Sequence, residues 1–292
     1  MVEKNIRQCI KEAVEILGER EYMNPLLDAQ LLLAFAMGRD KLYIMINMNE
    51  NVDVKTRELF YNLVEKRKDG CPLSYITNSQ EFMGLDFYVE EGVLIPRPDT
   101  ENIVEYIIEM VKSSEREGEK LRILDIGSGS GAIGCSLASY INNSSVYAID
   151  ISDIAVKVSK KNKERLGLEN YEILKRDIFD EIWEELNGFD IVVSNPPYIP
   201  EKDMEGLQVE VSKYEPKLAL VGGKSGYDYY NRIIDIMERL LKPSGVLVME
   251  HGYDQSEKIV KMLNEKEGIN RVDVIKDLSG ILRGAAGYFS KN

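Results

Sequence analysis

The spacing of apolar positions changes twice along this chain, and the changes divide it into three stretches. From residue 3 to about 70 the spacing is helical. Ile6, Ile10, Ala13, Val14 and Leu17 recur at i, i+3 and i+4 and stop at Gly18, and a second face of Leu26, Ala29, Leu32, Leu33 and Ala36 opens at Pro25 and closes at Gly38. A short piece over residues 42–46 and a run from Asp53 through Leu59, Phe60, Leu63 and Val64 toward Gly70 complete a small helical bundle with short loops and no strand. Between Pro72 and Pro98 the period shortens. Residues 82–89 alternate around Gly84 and Val93-Leu94-Ile95 follow a Glu-Gly turn, which predicts a β-hairpin linking two domains. A helix over about 101–112 comes next, with Asp99 or Thr100 as its N-cap.

Beyond a charged, glycine-containing connection, strands and helices alternate. Strands are predicted at 122–126, 146–150, 171–174, 190–194, 246–250, 272–275 and near 287–290, with helices at about 131–140, 153–166, 226–241 and 254–264. Seven strands interleaved with helices predict an α/β fold with a doubly wound, mostly parallel sheet. The expected domains are a helical bundle over 1–75, a hairpin linker over 76–98 and an α/β domain over 99–292.

Bulk composition narrows the partners. The chain has 292 residues, 44% of them hydrophobic and 30% charged, the profile of an ordinary globular protein with room for two domains. A net charge of −13 and a pI near 4.8 argue against a surface that grips phosphate backbones, because that affinity comes from clustered Lys and Arg. The longest apolar run, residues 31–37, is far short of a membrane span, and residues 1–5 show no signal-peptide pattern. Cys9, Cys71 and Cys135 are scattered without metal-type spacing. The expectation is a cytoplasmic protein without disulfide or metal.

Two strand ends carry the chemistry. Ile123-Leu124-Asp125-Ile126 runs into Gly127-Ser128-Gly129-Ser130-Gly131-Ala132-Ile133-Gly134 and then a helix. The segment from Gly129 to Gly134 fits the dinucleotide pattern G-x-G-x-x-G, with Asp150 about 20 residues on to hold ribose hydroxyls. Asp125, just before the glycines, would repel a pyrophosphate and pair with an ammonium group, which suits S-adenosylmethionine, a cationic amino-acid nucleoside without phosphate. Asp177, past the third strand, is placed to accept from an adenine amino group, with Ile151 and Ile178 as apolar walls. Taken singly, Asp150 and Asp177 also read as capping or turn aspartates.

The second strand end is Ile191-Val192-Val193-Ser194-Asn195-Pro196-Pro197-Tyr198. Neither proline has an N–H and both fix φ, so the corner cannot relax into helix or ladder and its carbonyls stay free. Asn195 Oδ1 and the Pro196 carbonyl can accept both hydrogens of one planar NH2 group, against which Tyr198 would lie as a flat wall. Holding such a nitrogen with its lone pair aimed at an electrophile requires no general base. The same tetrapeptide also reads as an ordinary turn closing a central strand.

Together, the segments Asp125–Ile133 and Ser194–Ile199 resemble those of class I S-adenosylmethionine-dependent methyltransferases acting on amide or exocyclic amino nitrogens. Within that class the chain resembles the peptide chain release factor glutamine methyltransferases, the HemK/PrmC family, over nearly its full length. Residues 72–76, 93–101, 214–220 and 277–283 are similar to family segments, with Ser74 where Gln is expected and Asn78 where Gly is usual. The resemblance implies a Rossmann-like methyltransferase sheet and methylation of the glutamine amide in a Gly-Gly-Gln loop of release factors. The N-terminal bundle, which carries none of the cofactor motifs, reads as the part that recognises the substrate, or else as a stabilising cap on the catalytic sheet. Asn195, Pro196, Pro197 and Tyr198 would serve the acceptor. Asp125, Gly127, Ser128, Gly129, Ser130, Gly131, Asp150, Ile151, Asp177, Ile178 and Asn195 would hold the cofactor, and Arg97 would be drawn into the site. The alternatives are an adenine-type methyltransferase on nucleic acid, which the charge disfavours, and a non-catalytic cofactor-binding module. His251, Trp183 and the tyrosines at 227, 229 and 230 read as structural. Glu101 reads either as a cap or as facing the cofactor.

Overall fold

The computed structural model describes residues 3–19, 23–113, 118–180 and 186–290; Trp183 lies outside them. The chain forms two compact units, Met1–Ser79 and Gln80–Asn292.

In the first unit, β1 (Lys4–Asn5) leads into α1 (Ile6–Leu17), followed by α2 (Pro25–Met37), α3 (Lys41–Ile46), β2 (Asn51–Val52), α4 (Val54–Lys68) and α5 (Leu73–Thr77). Side chains close the orphan N–H groups at the helix starts. Asn5 and Gln8 make a reciprocal capping box on α1, and Asn24, Asp40 and Asp53 cap α2, α3 and α4. The apolar faces meet in one cluster around Ile6, Cys9, Leu32, Leu33, Ile44 and Phe60. Contrary to the strandless expectation, Lys4 and Asn5 pair antiparallel with Val52 and Asn51, a ladder too short to leave a period in the sequence. The Arg67 guanidinium, buried with Asp28, donates through Nε to Oδ2 at 2.7 Å and through Nη1 to the Cys71 carbonyl at 3.0 Å.

The second unit begins with a hairpin, β3 (Gln80–Phe82) against β4 (Leu85–Phe87), turning at Met83-Gly84, where both residues have positive φ. The partner of β4 is therefore the strand before it; residues 93–95 form no strand. The turn is gripped from outside, because Glu101 Oε1 accepts from Met83 N at 2.5 Å and Tyr140 donates to the Met83 carbonyl. Glu101 thus clamps the hairpin. Helix α6 (Pro98–Ser113) starts on Pro98, so neither Asp99 nor Thr100 caps it.

The main sheet contains β5 (Leu121–Ile126), β6 (Ser144–Asp150), β7 (Tyr171–Lys175), β8 (Phe189–Ser194), β9 (Leu241–Glu250), β10 (Ile269–Lys276) and β11 (Leu282–Phe289), in the spatial order β10-β11-β9-β8-β5-β6-β7. Only β11 runs antiparallel to its neighbours. Successive residues of β5 and β8 face opposite sides. Ile123, Ile191 and Val193 pack with α6 and α7 (Ala132–Tyr140), whereas Leu124, Ile126 and Val192 pack under the later helices α11 (Asp228–Leu240) and α12 (Ser256–Glu265). Helix α8 (Asp153–Arg165) joins β6 to β7. All seven strands and the four longer helices after residue 120 fall where the spacing predicts. The excursion between β8 and α11 holds a 3-10 turn (Glu201–Gly206), α9 (Val209–Tyr214) and α10 (Lys217–Leu220), pieces too short for a helical period to show.

The Asp28–Arg67 pair offers a test of the bundle. Asp28→Ala leaves a buried guanidinium without its counter-charge and should destabilise the protein by about 3–5 kcal/mol, whereas Asp28→Ala with Arg67→Met should recover most of that loss. Chemical denaturation of the three proteins measures the difference.

Candidate active site

Strand order reverses between β5 and β8, and the loops leaving their carboxyl ends diverge there to open a crevice. A cavity of about 290 Å³ occupies it, at the lower end of the size of ligand sites, roughly 300–1,000 Å³. Gly127, Ser128, Gly129, Ser130, Asp150, Ile151, Asp177, Ile178, Asn195, Pro196 and Pro197 all line it. Three of the expected residues do not.

Asp125 is the first of these. It is fully buried beneath the glycine loop, where Oδ2 accepts from Ser128 Oγ at 2.9 Å and from Gly134 N at 3.1 Å. Through Oδ2, Asp125 ties the loop and the start of α7 to the end of β5, while its Oδ1 is buried without a hydrogen-bond partner among the described residues. Burial pushes its carboxyl up to about 7. Position 134 must be glycine for this, since a Cβ there would stand 2.7 Å from the Tyr171 ring and 2.9 Å from Asp125 Oδ2. Gly131 is the second, turned away from the cavity toward Ser159 and Cys135. The third, Tyr198, opens onto an adjoining cavity of about 120 Å³, shared with Leu94, Arg97, Asn195 and Glu250.

Asp150 ends β6 with both carboxylate oxygens engaged by backbone, Oδ2 by Gly129 N and Oδ1 by Ser152 N, each at 2.8 Å. Each oxygen keeps a further lone pair, and the carboxylate lies on the cavity wall. Burial raises its pKa despite the two N–H donors. Asp177 closes an Asx turn by accepting from Phe179 N at 2.9 Å. Ile151 and Ile178 supply apolar wall, as do Phe179 and Tyr229, whose rings meet edge-to-face 5.2 Å apart. Tyr229 packs against the core, as the sequence predicts, and also borders the cavity. Its neighbour Tyr230 is the buried one, donating to the Glu250 carbonyl at 3.0 Å, and one residue's rotation on α11 sends Tyr229 to the cavity.

The Asn-Pro-Pro-Tyr corner is braced on both sides. Gly222 packs under it so tightly that a Cβ would stand 2.5 Å from the Pro197 carbonyl, and Gln255 Nε2 donates to the Tyr198 carbonyl at 3.1 Å. Asn195 Nδ2 donates to Thr100 Oγ1 at 3.2 Å. No described group donates to Asn195 Oδ1 or to the Pro196 carbonyl. Two segments border the cavity, residues 92–97 and 216–219, and Arg97 joins them through Glu215, reaching both carboxylate oxygens at 2.7 and 2.6 Å. Thr100 and Glu215 escaped the sequence reading because their partners are 95 and 118 residues away in the chain. His251 is buried with Nδ1 against the Gly252 carbonyl, burial lowers its pKa, and it borders neither cavity.

A glycine loop at the first strand end, acidic groups at the second and third, and an acceptor corner at the fourth define a class I methyltransferase. The similarities of the chain agree with this. Residues 117–283 match the methyltransferase domain family and residues 8–77 the PrmC N-terminal domain family. A methyltransferase from Pyrococcus furiosus of known structure is 22% identical, covering 72% of this chain and 91% of its own with a TM-score of 0.50, a likeness of fold. The release factor glutamine methyltransferase of Clostridium acetobutylicum is 38% identical over 94% of this chain and 95% of its own length. That of Clostridium botulinum is 37% identical over 94% and 96%. The chain belongs to the release factor glutamine methyltransferase family. No helix among the described residues is long and apolar enough to cross a membrane.

If Asp150 holds a ligand hydroxyl with its remaining lone pairs, Asp150→Ala should weaken S-adenosylmethionine binding by about 1.5–3 kcal/mol, the scale of hydrogen bonds to a charged group. Titration calorimetry on the folded variant checks this, and unchanged affinity would remove Asp150 from the site.

Proposed function

We propose that this protein transfers a methyl group from S-adenosylmethionine to the side-chain amide nitrogen of the glutamine in the Gly-Gly-Gln loop of peptide chain release factors. The observation that carries the reading is the Asn195 corner: its amide NH2 is committed to Thr100, leaving Oδ1 and the Pro196 carbonyl as two adjacent, unclaimed acceptors on the cavity wall. Two acceptors held by prolines match the two hydrogens of one planar NH2 group.

The cavity suits a cationic nucleoside without phosphate. Asp150 and Asp177 put carboxylates on its wall, Arg97 is committed to Glu215, and Ile151, Ile178, Phe179 and Tyr229 offer flat apolar surface for a base. When bound, S-adenosylmethionine supplies an electrophilic methyl on a sulfonium. The chain's own residues then fix the acceptor nitrogen. Asn195 and Pro196 orient it, and as its charge turns positive their oxygens stabilise that charge without a proton-abstracting side chain. Asn and carbonyl oxygens do not titrate near neutrality, and the single histidine is held away from the cavity. A nucleic-acid acceptor fits poorly with a net charge of −13.

The N-terminal unit, in this reading, grips the body of the release factor while the corner takes its loop. It exposes Leu42, Met45 and Ile46 together on α3, apolar side chains more than half accessible. A second contact surface raises the effective concentration of a flexible loop at the site.

Incubation with methyl-labelled S-adenosylmethionine and a purified release factor, followed by peptide mapping, should place the label on the loop glutamine. Asn195→Ala should retain near-normal cofactor affinity yet lose at least roughly a hundredfold in turnover. Normal turnover by the folded variant would contradict the acceptor role.

A further inference from the structure

We propose that the smaller cavity is a main-chain subsite, in which Arg97 and Glu250 hold one peptide unit flanking the acceptor glutamine, Arg97 by its carbonyl and Glu250 by its N–H. This rests on the reading that Asn195 receives a glutamine side-chain amide.

This cavity, of about 120 Å³, has apolar walls of Leu94, Val211, Ala219 and Leu220, and Arg97 and Glu250 are the two charged residues that border it. They make no ion pair with each other, because Arg97 is paired with Glu215. Both bonds to Glu215 leave from Nη2. The Nε and Nη1 hydrogens, on a side chain 40% exposed, meet no acceptor among the described residues and remain available as donors. Glu250 presents the opposite polarity. It ends β9 only 4% exposed, and its Oε2 is buried without a hydrogen-bond partner among the described residues. A buried carboxylate oxygen left unpaired is costly, and a ligand N–H at the cavity wall removes that cost.

The position of the cavity narrows what it takes. Leu94, Arg97, Asn195 and Ala219 border both cavities, so the smaller one adjoins the crevice at the acceptor corner itself. A glutamine whose carboxamide rests on Asn195 and Pro196 has only two methylene groups between that carboxamide and its main chain. Each peptide unit of that main chain carries one N–H and one C=O, which point in opposite directions in the trans form. It therefore needs one donor and one acceptor set apart from each other, which is what Arg97 and Glu250 supply. The bidentate pair with Glu215 fixes the guanidinium plane before the carbonyl arrives. The small apolar cavity suits a stretch of chain without bulky side chains, as glycines beside the glutamine are. A free primary amide has no second amide unit to place there, so the subsite favours an acceptor that is part of a polypeptide.

Two measurements on the full-length protein test the subsite. The first is affinity for an intact release factor by titration calorimetry with S-adenosylhomocysteine present, using the native factor and two versions in which an ester replaces the peptide bond before or after the loop glutamine. One of the esters lacks the N–H that Glu250 accepts, so wild type should bind it about tenfold or more weakly than the native factor, the scale of a hydrogen bond to a charged group. Glu250→Met should bind that ester and the native factor equally. Arg97→Lys keeps a charge for Glu215 but loses the planar fork, and it should bind the native factor several-fold more weakly with unchanged affinity for S-adenosylhomocysteine. The second measurement is thermal unfolding without substrate. Glu250→Met removes an unpaired buried carboxylate oxygen and should unfold at the wild-type Tm or above it, whereas a merely structural role for Glu250 predicts a lower Tm. Equal wild-type affinity for all three factors, wild-type binding by Arg97→Lys, or a lowered Tm in Glu250→Met would overturn the proposal. A release factor that binds but stays unmethylated would contradict the proposed reaction and leave the ester comparison standing. If the factor does not bind at all, that reaction fails too, and the Tm comparison still decides the role of Glu250.

Discussion

The parallel pairing of β5 with β8 is the constraint on which the site depends. Ile126 lies opposite Ser194, and Ser194 Oγ donates to the Ile126 carbonyl at 2.7 Å, so the two strands end side by side at one level. Their loops must then diverge, one into the glycine turn and one into the proline corner, and the crevice between them is the site. A one-residue slip would turn Ser194 and Ile126 to the wrong faces and move both loops out of step. The register is protected by burial on both sides, since every residue of β8 is buried.

A buried acid stands beside each loop. Asp125 holds the glycine turn through Ser128 and Gly134, and Glu250 borders the smaller cavity together with Asn195. Burial pushes both carboxyls up to about 7. Asp125 orients the Ser128 hydroxyl and the Gly134 N–H of its loop, and a dipole fixed before reaction need not reorganise during it.

What the sequence revealed follows from the range of the interactions involved. The seven strands, the helices between them, the glycine turn and the Asn-Pro-Pro-Tyr corner each declare themselves within a few residues, through period, chirality or missing N–H groups. The hairpin partner was misplaced because residues 93–95 look as strand-like as 80–82, and only the turn at Met83-Gly84, held by Glu101 and Tyr140, decides between them. The start of β11 was hidden because Gly284, Ala285 and Ala286 have little strand propensity; Gly284 has no room for a side chain, a Cβ there meeting Ile103 at 2.5 Å and the Met249 carbonyl at 2.8 Å. Asp125 was legible as important but not as buried, since the spacing of a loop does not show which side of it a ligand occupies. The residues beyond the motifs that border or brace the two cavities, Thr100, Glu215, Tyr229 and Glu250, are assembled across the fold.

The central claim is that Asn195 and Pro196 receive both hydrogens of one amide nitrogen. A crystal structure of the protein with S-adenosylhomocysteine and a Gly-Gly-Gln peptide tests it most directly. The account predicts the glutamine side-chain nitrogen within about 2.7–3.2 Å of both Asn195 Oδ1 and the Pro196 carbonyl oxygen, the range of a made hydrogen bond. A glutamine whose carbonyl oxygen faces Asn195, or whose nitrogen meets neither oxygen, would contradict it.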